Sequence, residues 1–223
     1  MAKRKLKKFA DVNSFHNCFF LSFEDARAGG LSLKGKWHSD YFKNNNPIVL
    51  ELGCGKGEYT VGLAQRYPNK NFIGVDIKGN RIWTGAKTAI DNKMNNVAFI
   101  RTRIDFIDTC FINNEVNEIW ITFPDPQPLK SRIRNRLTNM MFINRYEKIL
   151  GKNGIINLKT DSEPFHEYTK EVIAENKFEL LDTTTDLYAD VNTRDEALTS
   201  IKTYYEKMFS DKGFKICYLK FRI

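Results

Sequence analysis

The sequence is poor in the residues that build metal centres, disulfide scaffolds and membrane spans. Histidine occurs three times and cysteine four times in 223 residues. The cysteines (Cys18, Cys54, Cys110 and Cys217) lie far apart, with no CxxC pair and no histidine cluster nearby. Neither a metal site nor a disulfide framework is therefore expected, and a cytoplasmic, reducing setting suits the chain best. No apolar run approaches the roughly 18 residues that a bilayer-spanning helix needs. The basic opening, Met1-Ala-Lys-Arg-Lys-Leu-Lys-Lys8, is not followed by the apolar stretch of a signal peptide, so no membrane is expected as a partner. Repeats with periods of about 20–50 residues and low-complexity tracts are also missing. Acidic residues are the minority charge: 27 Asp and Glu stand against 35 Lys and Arg, giving +8 and a pI near 9.2. That excess points towards a polyanionic partner. What is present, 42% hydrophobic and 28% charged residues, is enough for one large domain with a full core.

The dominant pattern is alternation of short apolar runs with helical periodicity. Ile48-Val-Leu-Glu-Leu52 follows Pro47 and ends at glycines, as a buried strand does. Glu58 to Tyr67 predicts a helix stopped by Pro68, and Asn71–Asp76 a second strand. A helix with Ile82, Trp83, Ala86 and Ile90 follows, then strands at 97–100 and 118–123. Met140, Ile143, Tyr146 and Leu150 share the face of a further helix that stops at Gly151. Residues 155–158 form the fifth strand, before a helix from about Pro164 capped by Ser162. Segments 178–182 and 214–221 supply two edge strands around a helix near 200–210. The expected architecture is α/β: a mostly parallel, seven-stranded, Rossmann-like sheet with helices on both faces. Residues 1–46 lack the alternation and read as a basic N-terminal arm before a single domain over 47–223.

In such sheets ligands bind beyond the carboxyl ends of the strands. After the first strand comes Glu51-Leu-Gly53-Cys-Gly55-Lys-Gly57, three alternate glycines that let the backbone approach a ligand and turn into a helix. A dinucleotide fingerprint needs GxGxxG, and position 58 is Glu58. Asp76 ends the second strand, where an acid accepts both ribose hydroxyls. Glu51 and Asp76 would repel a pyrophosphate and suit a cationic ligand. This combination resembles the class I S-adenosylmethionine-dependent methyltransferases. The resemblance implies S-adenosyl-L-methionine as cofactor, Gly53, Gly55 and Gly57 against its methionyl part, Glu51 in the same pocket, and Asp76 on its ribose. At the third strand's end stands Arg101-Thr-Arg103-Ile-Asp105, where Arg103 or Asp105 would lie near the adenine and Phe106 is placed to pack on the base.

The fourth strand ends in Phe123-Pro-Asp125-Pro-Gln-Pro128, a loop stiffened by three prolines. Lys130, Arg132, Arg134 and Arg136 follow with no acid among them, a run suited to phosphate contact. This block resembles the tRNA (guanine-N7-)-methyltransferase family, whose Asp-Pro-Trp-x-Lys-x-Arg pattern opens here at Asp125-Pro126, with Gln127 in place of tryptophan and Leu129 in place of the substrate lysine. Leu158-Lys-Thr-Asp161 and Thr203-Tyr204-Tyr205-Glu206 match two further motifs of that family, so the likeness spans about residues 45–223. It implies methyl transfer to N7 of a guanine in the tRNA variable loop. Asp125 would be the catalytic carboxylate, and Lys130, Arg132, Asp161 and Thr203 to Glu206 would bind substrate. The alternatives are a Rossmann-type enzyme that methylates amino groups of nucleic acid and a non-catalytic RNA-binding protein with this fold. The glycine spacing disfavours a dehydrogenase.

Overall fold

The structure is a computed structural model that describes residues 2–190 and 194–223. Its strands, in chain order, are β1 (Cys18–Phe20), β2 (Ile48–Leu52), β3 (Asn71–Asp76), β4 (Val97–Arg101), β5 (Val116–Thr122), β6 (Leu150–Thr160), β7 (Glu179–Thr184) and β8 (Cys217–Arg222). They form one sheet in the order β1-β4-β3-β2-β5-β6-β8-β7, parallel except for β8, which runs antiparallel to β6 and β7. β2 is buried at all five positions and β3 and β4 nearly so. That is why these strands read as continuous apolar runs and not as alternating patterns. The α-helices are α1 (Ala2–Val12), α2 (Phe23–Arg27), α3 (Glu58–Arg66), α4 (Gly79–Asp91), α5 (Met140–Tyr146), α6 (Glu163–Glu175), α7 (Ala197–Ser200) and α8 (Tyr204–Asp211).

Two expectations need correction. The sheet has eight strands, and the eighth comes from the segment read as an arm: Cys18, Phe19 and Phe20 pair in parallel with Phe99, Ile100 and Arg101. Residues 18–42 are part of the folded body. Trp37 is fully buried, donates its indole N–H to the Cys110 carbonyl at 3.1 Å, and meets Phe19, Tyr41, Phe42 and Phe111 at ring-centroid distances of 5.3–6.1 Å. The buried Glu115 carboxylate accepts the backbone N–H groups of Gly35, Trp37 and Ile112, fixing the connection. The basic residues at the start masked this aromatic-rich stretch. Second, Leu150 begins β6 instead of ending a helix, and β6 runs through Gly151 and Gly154.

Chain order reverses at β2: β3 and β4 lie on one side, β5 and β6 on the other. The crevice this creates opens beyond the carboxyl ends of β2 and β5. Gly57 packs beneath it. It has φ +70°, and a Cβ there would meet the Phe99 ring at 2.6 Å. Its missing side chain lets α3 start directly above β4.

Candidate active site

The crevice has two lobes that share Gly53, Arg81, Asn135 and Leu137 as a common border. The smaller, about 530 Å³, lies over the ends of β3 and β4 between Asp76, Arg103 and Asp105. The larger, about 720 Å³, lies over the ends of β5 and β6, with Asp125, Asp161 and Thr203 on its walls. Gly53 has φ +76°, and a Cβ there would point into open space. A group lying along the loop can therefore come within van der Waals reach of the backbone. Asp76 stiffens the loop from the next strand: its Oδ2 accepts Gly55 N–H at 2.9 Å and its Oδ1 accepts Lys78 N–H at 2.7 Å. Each oxygen keeps a lone pair for a further donor.

Glu51 sits under this floor and not on its surface. It is 3% exposed. One oxygen accepts Thr60 N–H at 2.8 Å and the Thr60 hydroxyl, and the other accepts the Thr122 hydroxyl at 2.6 Å. Burial pushes its carboxyl up to about 7 in spite of these donors. Glu51 thus ties β2 to α3 and to the end of β5, and Thr122 is the member of that network that reaches the larger lobe. Gly57 likewise lies outside the crevice wall, in the packing role described above.

Arg103 and Asp105 both border the smaller lobe and pair with each other at 3.1 Å. Arg145 holds the turn that carries them by donating to the Asp105 carbonyl at 2.8 Å. Phe106 packs on Phe23 at 5.8 Å, away from both lobes.

Asp125 is exposed at the rim of the larger lobe. Its Oδ1 accepts Gln127 N–H at 3.0 Å, closing a turn in which Phe123 and Gln127 have φ of 48° and 46°. Non-glycine residues adopt such angles only where their surroundings hold them. The holding group here is Arg136. It is 8% exposed, donates Nε–H to the Pro126 carbonyl at 3.0 Å, and lies over the Tyr168 ring at 4.4 Å. Lys130, Arg132 and Arg134 are exposed on the short 3₁₀ turn Lys130–Asn135. The run of four cations is therefore three surface cations and one buried strut. Asp161, half-buried after β6, has its carboxyl raised by burial.

A family model described as "Putative methyltransferase" matches residues 45–219. A relative from Christiangramia forsetii named tRNA (guanine-N(7)-)-methyltransferase is 49% identical over 222 residues, covering 100% of this chain and 99% of the relative. One of the same name from Bacteroides fragilis is 51% identical over 221 residues, covering 99% and 86%. The chain belongs to the tRNA (guanine-N7-)-methyltransferase family. Solved structures agree on the fold: an antibiotic-related methyltransferase aligns with TM-score 0.63 at 16% identity over 86% of this chain and 95% of that one. The 16S rRNA methyltransferase KamB aligns with TM-score 0.59 at 15% identity over 90% and 92%.

The family motif over Thr203 to Glu206 divides in space. Thr203 caps α8, its hydroxyl accepting Glu206 N–H at 3.1 Å, and it borders the larger lobe with Tyr204 and Tyr205. Glu206 is fully buried and turned away from that lobe. Gln127, at the usual tryptophan, lines the larger lobe, while Leu129 and Lys130 are both exposed. Sequence reading missed Lys56, Glu58 and Arg81. Glu58 accepts Tyr204 N–H at 2.9 Å, Lys56 lies 4.1 Å over the Tyr204 ring, and Arg81 projects between the lobes and Tyr205. The signal for Glu58 was its place at the last glycine of a dinucleotide fingerprint. Among the described residues no cluster of three or more potential metal ligands occurs, and no helix is long and apolar enough to cross a membrane.

Proposed function

We propose that this protein transfers a methyl group from S-adenosylmethionine to N7 of a guanine in tRNA, in the variable loop, and that it does so in the cytoplasm. The observation that carries the reading is the larger lobe itself. Two carboxylates from adjacent strand ends, Asp125 and Asp161, border one cavity that is continuous past Gly53 with the lobe holding Asp76. The near full-length relatives of that name support it.

The residues present fit the cofactor. A glycine loop with open space above Gly53 admits its chain, Asp76 has acceptor capacity left for ribose hydroxyls, and the Arg103–Asp105 turn borders the far end. When bound, the group supplies an electrophilic methyl on a sulfonium centre. Guanine N7 already carries a free lone pair, so the protein need not remove a proton and catalysis rests on positioning. In this reading Asp125, on a loop fixed by prolines and Arg136, and Asp161 accept the guanine N1–H and amino protons. Their charge also offsets the cation that forms on the purine. Desolvation at Asp161 strengthens that interaction. Lys130, Arg132 and Arg134 face solvent beside the lobe, where phosphates would lie. N7 is buried in the narrow major groove of A-form RNA, so the base must leave its stack to enter. Tyr204 and Tyr205 at the mouth offer rings to receive it.

The test is incubation with labelled S-adenosylmethionine and unmodified tRNA, followed by nucleoside analysis. 7-Methylguanosine is the expected product. Methylated adenosine, or no product, would overturn the reading.

A further inference from the structure

Lys159 and Glu206 form a buried ion pair that no step of the reaction uses. Both side chains are fully buried, with Nζ 2.7 Å from Oε1. Glu206 also accepts the Tyr188 hydroxyl at 2.8 Å, and its other oxygen finds no partner among the described residues. Lys159 donates to the Leu198 carbonyl at 2.6 Å and lies 5.1 Å from the Tyr59 ring centroid. Burying such a pair costs desolvation, and apolar side chains of similar volume often serve stability equally well. The pair's location is therefore the informative feature.

Lys159 lies behind the larger lobe and ties together several of the segments that wall it. Its carbonyl accepts Phe123 N–H at 2.8 Å, at the root of the Asp125 loop. Asp161 lies two residues further along the chain. The Lys159 ammonium holds α7 through Leu198 and α8 through Glu206. The N-terminus of α8 has a second tether, Tyr204 N–H to Glu58, which is adjacent to the glycine loop. We propose that Lys159 and Glu206 are positioning residues, a latch that sets the Thr203–Tyr205 wall against Asp125 and Asp161, and that Glu206 serves guanine only through Lys159. This rests on the function proposed above.

The test compares full-length Glu206→Gln, Lys159→Met and the double variant. Each is measured for single-turnover methylation of tRNA, S-adenosylhomocysteine affinity and amide hydrogen exchange over residues 203–211. Glu206→Gln keeps an acceptor for Tyr188 but leaves Lys159 without its counter-charge. It should slow transfer roughly 10–100-fold, the scale of a misplaced reacting partner. It should also speed exchange in α8, while cofactor-product affinity stays within about threefold. Adding Lys159→Met removes the stranded charge without restoring the latch, so the double variant should be no slower than Glu206→Gln, with exchange in α8 still faster than in the wild type. Slow transfer in both, with α8 as protected as in the wild type, would mean that Glu206 touches substrate directly and would overturn the proposal. The comparison holds even if Lys159→Met alone fails to fold. Exchange reads the latch without turnover, so a wild type that makes no 7-methylguanosine would refute the function separately.

Discussion

Replacing Arg136 with lysine distinguishes a strut from a phosphate ligand. The guanidinium does two things that an ammonium cannot repeat from the same backbone. It donates Nε–H to Pro126 O at 3.0 Å while its plane lies 4.4 Å over Tyr168. A charge-assisted hydrogen bond contributes about 1.5–3 kcal/mol, and a largely desolvated cation–π pair about 1–2 kcal/mol. Lysine keeps the charge and loses most of both, leaving the left-handed Phe123 and Gln127 held by less. The Asp125 loop should then sample displaced positions, and a misplacement of about 1 Å costs up to roughly 10²-fold in rate. Single-turnover methylation should slow about 10–100-fold, with tRNA affinity and its salt dependence unchanged. The control is replacement of Lys130, Arg132 and Arg134 by alanine, which should reduce the log–log salt slope by roughly 0.7–0.9 for each phosphate no longer neutralised and spare S-adenosylhomocysteine binding. If Arg136→Lys transfers methyl at the wild-type rate while Arg136→Ala flattens the slope, Arg136 is a phosphate ligand and not a strut.

Three further outcomes follow from the same geometry. Glu51 has a folded-state pKa raised from 4.5 to about 7, so between those values the folded state holds a proton that the unfolded state has lost. Stability therefore falls as pH rises through this window, by about 3 kcal/mol in all; Glu51→Gln should remove that component, and urea midpoints at pH 5 and pH 8 that shift equally in both proteins would contradict it. Asp76→Ala deletes the acceptor for Gly55 and Lys78 N–H and should weaken S-adenosylhomocysteine binding about 10–150-fold, the scale of a lost charged hydrogen bond; calorimetry showing wild-type affinity would misplace the ribose site. Trp37→Ala should destabilise the whole protein by about 3–5 kcal/mol, because the ring is fully buried; an unchanged urea midpoint would mean that residues 18–42 are an appendage after all.

The central strands were legible because parallel strands buried on both faces leave continuous apolar runs between glycine and proline stops, as in β2, β3 and β4. Strand ends then located the crevice, and with it Gly53, Asp76, Asp125 and Asp161. What the sequence hid was direction. Arg136 looks like its three cationic neighbours, and only packing against Tyr168 separates it from them. Glu206 lies one turn from Thr203 on the same helix, but its partner Lys159 comes from a strand 47 positions earlier in the chain. β1 was missed because three residues carry too little periodicity to register as a strand. The Trp37 cluster around it depends on Phe111, which is distant in sequence.

The function proposed for the larger lobe depends above all on Asp125, which in that proposal orients guanine and balances the charge that develops as N7 is methylated. Asp125→Asn tests this most directly, because the prolines and Arg136 keep the side chain in place while its charge is lost and its amide opposes guanine's own donors. Single-turnover transfer from labelled S-adenosylmethionine to tRNA should fall on the order of 10²–10³-fold, with 7-methylguanosine still the product and tRNA affinity little changed. A variant that forms 7-methylguanosine at the wild-type rate would remove Asp125 from the reaction, and with it the placement of guanine beside the proline-rich loop.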